Sequence, residues 1–215
     1  MRNQSHHQEH RAIVPSMLRW GRFAAAYLAM GIAALVMSVM WRVESPFEHP
    51  APLLELAPRA SHTYSAMLGL VLGGLVVMLT RPMVTRLGWA RSLHIELRRL
   101  VAQELSFAGI VVLAVLSALS EELLFRGLLH SWLGLLPQAV IFGLVHQIPG
   151  KSRWVWVTWA TLMGFLLGGV FQLTGSLLGP IVAHGVINGF NLQYLKTHDP
   201  EPRPRPLGGL LGQRS

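Results

Sequence analysis

The sequence predicts an all-α, polytopic membrane protein: one transmembrane helical bundle of about six spans. Three observations predict it. Hydrophobic residues make up 52% of the 215 and charged residues only 13%, about half the roughly 25% charged share of a soluble domain. The apolar residues are gathered into runs of the length that crosses a hydrocarbon core about 30 Å thick. Arginine and lysine fall mainly between those runs. The net charge of +8 is therefore topology information, and no RNA- or DNA-binding signature accompanies it. There is no cysteine, which excludes disulfides, thiolate metal sites and a cysteine nucleophile.

Residues 1–22 read as a basic, polar N-terminal tail. Its His6, His7 and His10 are expected to be tail residues rather than a surface metal site. Residues 23–40 form the first expected span, with Trp20 and Trp41 near its ends as interfacial anchors would be. The run is too long for a signal-peptide core and lacks a small-residue exit, so it reads as a retained span. Residues 42–62 carry Pro46, Pro50, Pro52 and Pro58 and read as a loop. The second expected span, 63–80, holds Gly69 and Gly73 in a G-x-x-x-G spacing that lets a neighbouring helix approach.

Residues 81–104 are basic, and Leu93, Leu97, Leu100 and Val101 repeat there at helical spacing. Two readings stand open: an interfacial amphipathic helix, or a helical extension of the next span. The remaining expected spans are 105–129, 133–147, 154–173 and 177–195, with turns at 149–153 and 174–176. Pro137 sits early in its span, where a first turn tolerates it. Domain boundaries follow: 1–22 tail, 23–104 two spans with the basic segment, 105–195 membrane core, and 196–215 a Pro- and Arg-rich tail. The first tail, 81–104, 149–153 and the last tail are all net positive, while 42–62 is net negative. Six spans place the four positive segments on one side, so both termini are expected in the cytoplasm. The arginine bias and short loops suggest a prokaryotic cytoplasmic membrane.

The chain is organised around Ser117-Ala-Leu-Ser-Glu121-Glu122-Leu-Leu-Phe-Arg126-Gly127, two carboxylates and a guanidinium set in an apolar run. Each such group costs roughly 2.5–3.5 kcal/mol at membrane depth, so it normally faces a cavity and has a job. On a helix Glu122 and Arg126 stand four apart, acid first, the favourable order for an ion pair. Glu121 is rotated about 100° away and has no local cation. A purely structural Glu–Arg clamp explains this stretch equally well by itself. Two further polar sets lie on other spans. Phe142 and His146 share one face of the fourth. His184, Asn188 and Asn191 fall on one stripe of the sixth. Interhelical packing is the bland reading of each. Together they supply a carboxylate and an imidazole to activate water, and a second imidazole and an amide to stabilise an oxyanion.

E-E-x-x-x-R at Glu121, Glu122 and Arg126, F-x-x-x-H at Phe142 and His146, and H-x-x-x-N at His184 and Asn188 occur in order on successive apolar segments. The pattern resembles the type II CAAX prenyl endopeptidase and bacteriocin-processing family of intramembrane proteases, over about 105–195. The resemblance implies an intramembrane endopeptidase. Glu121 and His146 would activate water, His184 and Asn188 would hold the oxyanion, and Glu122, Arg126 and Phe142 would support them. It also implies a protein or peptide substrate met at the lipid bilayer, with membrane-embedded and lipid-modified forms among the candidates.

No cofactor is expected, since no H-E-x-x-H pair preorganises a metal site. Should the enzyme be zinc-dependent, Glu121, His146 and His184 are the ligands. Two rivals from other classes remain: a non-catalytic membrane immunity or binding protein, and a small transporter.

Overall fold

The computed structural model describes residues 3–102 and 105–201, with side chains from Trp20 onward. Helix α1 is Asn3–Met40 and α2 is Pro58–Arg86. Helix α3, Gly88–Leu97, runs into a wide π-type turn at Arg98–Ala102. Helix α4, Phe107–Glu122, continues through a second π-type segment, Leu123–Leu129, into the short α5, His130–Leu133. Then come α6, Leu135–Val145, α7, Arg153–Thr174, and α8, Leu178–Thr197. Among the described residues no β-strand forms, and a single antiparallel bridge joins Glu48 to Ser176. The all-α membrane fold expected from composition is what the chain adopts.

Four helical stretches are long and apolar enough to cross a membrane: Trp20–Met40, Arg59–Arg86, Phe107–Leu133 and Arg153–Thr174. The other two expected spans differ from that description. Helix α6 has 11 residues, about 16 Å of helix at 1.5 Å per residue and short of the core thickness. Helix α8 has 20 residues, but His184, Asn188, Asn191 and Gln193 dilute its apolar character. Length thus lowers the count at α6, and polar residues lower it at α8.

The tail expected at 1–22 is continuous with α1 from Asn3. Glu, Gln, Arg and Ala propagate helix readily once the apolar segment has nucleated it. The other expected tail, from Lys196, begins inside α8, and its residues 202–215 lie outside the described residues. In the basic segment α2 runs on to Arg86, Leu87 is extended, and α3 is a separate element that buries Ala90, Leu93 and His94. The non-helical Leu105 and Ser106 separate α3 from α4, so α3 is not an extension of the next span.

Helix α4 packs between α1 and α8, and α8 packs against α2, while α6 lies on α7. Small residues set these distances. The carbonyl of Gly179 occupies the place a Cβ on Gly69 would take, and a Cβ on Gly73 would meet the Ala183 carbonyl at 3.0 Å. Both ends of the G-x-x-x-G therefore face α8. Gly164 does the same for α6, where a Cβ would lie 3.0 Å from Ala139.

Helix α7 ends on Gly175, at φ +76°, a conformation glycine adopts without a Cβ penalty. The loop after α1 caps this end. His49 N donates to Gly175 O at 2.9 Å, Leu53 N to Gln172 O at 2.9 Å and Leu54 N to Leu173 O at 3.0 Å. Carbonyls left over at a helix end are thereby satisfied.

Candidate active site

Ser106 starts α4 by accepting a hydrogen bond from Gly109 N at 3.0 Å, an N-cap that stops the chain from running on from α3. The two glutamates follow at the end of α4, where the helix widens to π-type turns over Leu123–Leu129. Such widening inside an α-helix often marks a functional site. Arg126, in this segment, is fully buried, as is Glu122.

Arg126 Nη1 donates to Glu122 Oε1 at 2.7 Å and Nη2 to the Gly164 carbonyl at 3.1 Å. The guanidinium carbon also lies 4.6 Å from the centre of the Phe142 ring. Gln138 Nε2 donates to the same Gly164 carbonyl at 3.2 Å. A buried ion pair holds only with extra hydrogen bonds of this kind.

The second helix pair brings the imidazoles. His184 Nδ1 is 2.6 Å from Glu122 Oε1. Glu122 is therefore shared between Arg126 and His184, where spacing alone paired it with Arg126. His184 Nε2 lies 3.8 Å from Glu121 Oε2. His146 Nε2 approaches the same oxygen at 3.4 Å, and its Nδ1 is 2.6 Å from the Phe142 carbonyl. His146 caps the C-terminus of α6 instead of lying within a helix. The carbonyl acceptor fixes its proton on Nδ1 and turns Nε2 toward Glu121. Asn188 Nδ2 donates to Ser117 Oγ at 2.9 Å, one turn before Glu121.

Glu121, His146, His184 and Asn188 all line one cavity of about 580 Å³. Its wall is otherwise mostly apolar or aromatic, with Trp20, Tyr27, Trp89, Trp156 and Trp159 among the lining residues. Trp156 and Trp159 thus face inward, while Trp154 is exposed beside Arg153. Phe142 stacks between the groups: its ring centre is 4.3 Å from His146, 4.9 Å from Phe125 and 6.1 Å from His184. Asn191, on the His184 stripe, lines the cavity too.

Buried side-chain atoms without a hydrogen-bond partner gather here: Glu121 Oε2, Glu122 Oε2, Arg126 Nε and Gln138 Oε1. Two participants escape a reading of the sequence. Gln138 was visible as the lone polar side chain in the apolar stretch of α6, but its shared acceptor with Arg126 was not. Tyr27, on α1, lies beside the Glu121 carboxylate and carries no motif that marks it.

Glu121, His146 and His184 are also the side chains that could hold a metal. Two imidazoles and one carboxylate are a donor set Zn²⁺ takes at catalytic sites. Among the described residues, however, no group of three or more His, Cys, Asp or Glu side chains is arranged to bind an ion.

Comparison with known proteins fits this geometry. Residues 103–190 match the family described as Rce1-like, the type II CAAX prenyl endopeptidase Rce1-like family. The similarity is confined to this segment, about two fifths of the chain. The match takes in both glutamates, Arg126, both histidines and Asn188, and leaves out α1, α2 and α3. The uncharacterised protein YpbD of Bacillus subtilis (strain 168) is 37% identical over 83 residues, covering 39% of this chain and 43% of that protein. The alignment thus spans less than half of the relative's length. No solved structure matches the chain.

Proposed function

We propose that this protein is an intramembrane endopeptidase that hydrolyses a peptide bond with water activated by Glu121 and His146. One observation carries the reading. A buried carboxylate oxygen without a hydrogen-bond partner is turned toward the Nε2 atoms of two histidines, at 3.4 and 3.8 Å, on the wall of an apolar cavity. A water placed there would lose its proton to Glu121 or His146 as its oxygen attacks the substrate carbonyl.

The charges of the site suit the second half of the reaction. Glu121 and Glu122 outnumber Arg126 by one, so a single proton shared among the imidazoles balances the cluster. Glu122 accepts from His184 Nδ1–H, and a proton on Nε2 would give the oxyanion a donor. Asn188 offers an amide donor once it turns from Ser117. The proton taken from water then passes to the leaving amine, and the two products separate. The Rce1-like match and the bacterial relative support a peptide substrate presented at a bacterial cytoplasmic membrane. The positive segments support termini on the cytoplasmic side.

The test uses purified full-length protein and an internally quenched peptide, supplied with and without a prenylated cysteine. Wild type is expected to cleave at least one form, and Glu121→Gln neither. Cleavage should survive exhaustive chelation. Loss on chelation with recovery on Zn²⁺ would make Glu121, His146 and His184 metal ligands instead. Wild-type cleavage by Glu121→Gln would overturn the assignment of the base.

A further inference from the structure

Glu121 receives a neighbour from outside the Rce1-like segment. Helices α1 and α4 run side by side, and two contacts fix their register. A Cβ on Gly109 would lie 3.5 Å from the Trp20 ring, and a Cβ on Gly31 would lie 3.0 Å from Ser120 Oγ. Both contacts have the same offset in sequence. That offset sets Tyr27 level with Leu116 and Ser117, one turn before Glu121.

The Tyr27 ring packs against the cluster of Leu105, Ile110 and Leu113. Tyr27 lines the same cavity as Glu121, and the two side chains are neighbours across the α1–α4 seam. From the other elements, His146 of α6 and His184 of α8 face that carboxylate, with Glu122 and Arg126 on its own helix. Of these neighbours Tyr27 alone offers a hydroxyl donor. A phenol can anchor one carboxylate oxygen while the other stays free for water.

We propose that Tyr27 is a positioning residue: its hydroxyl donates to the Glu121 carboxylate and holds the carboxylate plane toward the two imidazoles. The inference rests on Glu121 being the base of the proposed reaction. It gives α1 a part in the chemistry beyond packing. A carboxylate held by only the histidines would be free to rotate about its last torsion, which is broad for Glu.

Tyr27→Phe keeps the ring in its apolar cluster and removes only the hydroxyl. With the quenched peptide as probe, kcat is expected to fall about tenfold, the scale of one hydrogen bond to a charged group. KM should stay within about twofold and the melting temperature should not move, since the packing is retained. A second readout needs no substrate. Ultraviolet Raman spectra report whether a tyrosine hydroxyl donates, and subtracting the Tyr27→Phe spectrum isolates Tyr27 from Tyr64 and Tyr194. The donor signature should be strong in wild type and weakened in Glu121→Gln. An identical Tyr27 signature in those two backgrounds, or an unchanged kcat in Tyr27→Phe, overturns the inference. Should Glu121→Gln cleave normally while the Raman response is present, the base assignment fails and the Tyr27–Glu121 contact stands.

Discussion

Two buried polar clusters sit in this bundle, and they are built on opposite principles. The first ties the start of α2 to the α7–α8 turn. Ser61 Oγ donates to Thr174 O at 2.5 Å, Ser65 Oγ donates to Ser176 O at 2.9 Å and accepts from Gly179 N at 3.0 Å. Thr174 Oγ1 lies 2.8 Å from both Ser65 Oγ and Val170 O, and His62 Nδ1 lies 2.8 Å from Ser176 Oγ. Hydroxyls and backbone groups dominate, and no atom of these five side chains is buried without a partner. The second cluster is the candidate active site, where charged groups dominate and four buried atoms lack partners. A satisfied network rigidifies, whereas an unsatisfied one carries a cost of about 1–3 kcal/mol per group that folding alone has no reason to keep. The difference separates a structural lock from a place prepared for water and substrate.

That contrast predicts how each cluster responds to substitution. The largest effect belongs to Glu121→Gln, which should lower proteolysis by about 10³-fold or more through loss of the general base. Its melting temperature should be unchanged or higher, because a buried carboxylate oxygen without a hydrogen-bond partner is removed. A clear fall in thermal stability would place Glu121 among the structural groups and erase the distinction. Next is Arg126→Ala, which leaves the buried Glu122 with His184 as its one partner and the Gly164 carbonyl with Gln138. A cost of roughly 3–5 kcal/mol is expected, read as low yield and an early melting transition in detergent. Wild-type yield and stability would show that the pair is not a clamp.

Two smaller effects sharpen the line between the clusters. Asn188→Ala should reduce the rate about 10²-fold, the lower end of the scale for one oxyanion donor, with little loss of stability. An equal loss in Ser117→Ala would assign the effect to Asn188 orientation instead. Ser65→Ala should do the reverse, costing about 1–2 kcal/mol of stability and leaving turnover alone. Scanning calorimetry and the quenched-peptide assay on the same preparations separate the two outcomes.

How much of this was legible in the sequence depends on the range of the interaction. The Glu122–Arg126 pair follows from helical spacing, and the 2.7 Å contact lies where that spacing puts it. The packing role of Gly69 and Gly73 follows from G-x-x-x-G, though the partner helix does not. His184 bridging to Glu122 could not be read, because the contact joins residues 62 apart in the chain. The π-type widening after Glu122 leaves no periodic trace in a run that is apolar but for Arg126. Tyr27 was hidden for another reason: aromatic residues are ordinary in membrane helices, and only the α1–α4 register gives this one an address. The short α6 and polar α8 were read as full spans because hydropathy reports composition along the chain and not what a cavity replaces.

The smallest predicted effect lies outside both clusters, on α3. His94 is buried there, with Nε2 3.0 Å from the His198 carbonyl. Burial holds its pKa below the usual 6.5, helped by Arg98 and His198, while that hydrogen bond and Asp199 oppose the shift. The unfolded chain therefore binds more protons than the folded one as the pH drops, so stability falls in that direction. The contribution of His94 is complete above the unfolded value and is lost as pH falls through the depressed folded value. Melting temperatures measured from about pH 7.5 down to about pH 5 should decline in wild type, across the range where histidine titrates. His94→Gln keeps a side-chain N–H for the His198 carbonyl and has nothing to titrate, so part of the decline should vanish. Parallel declines in the two proteins would mean that protonation of His94 does not loosen the contact between α3 and the end of α8.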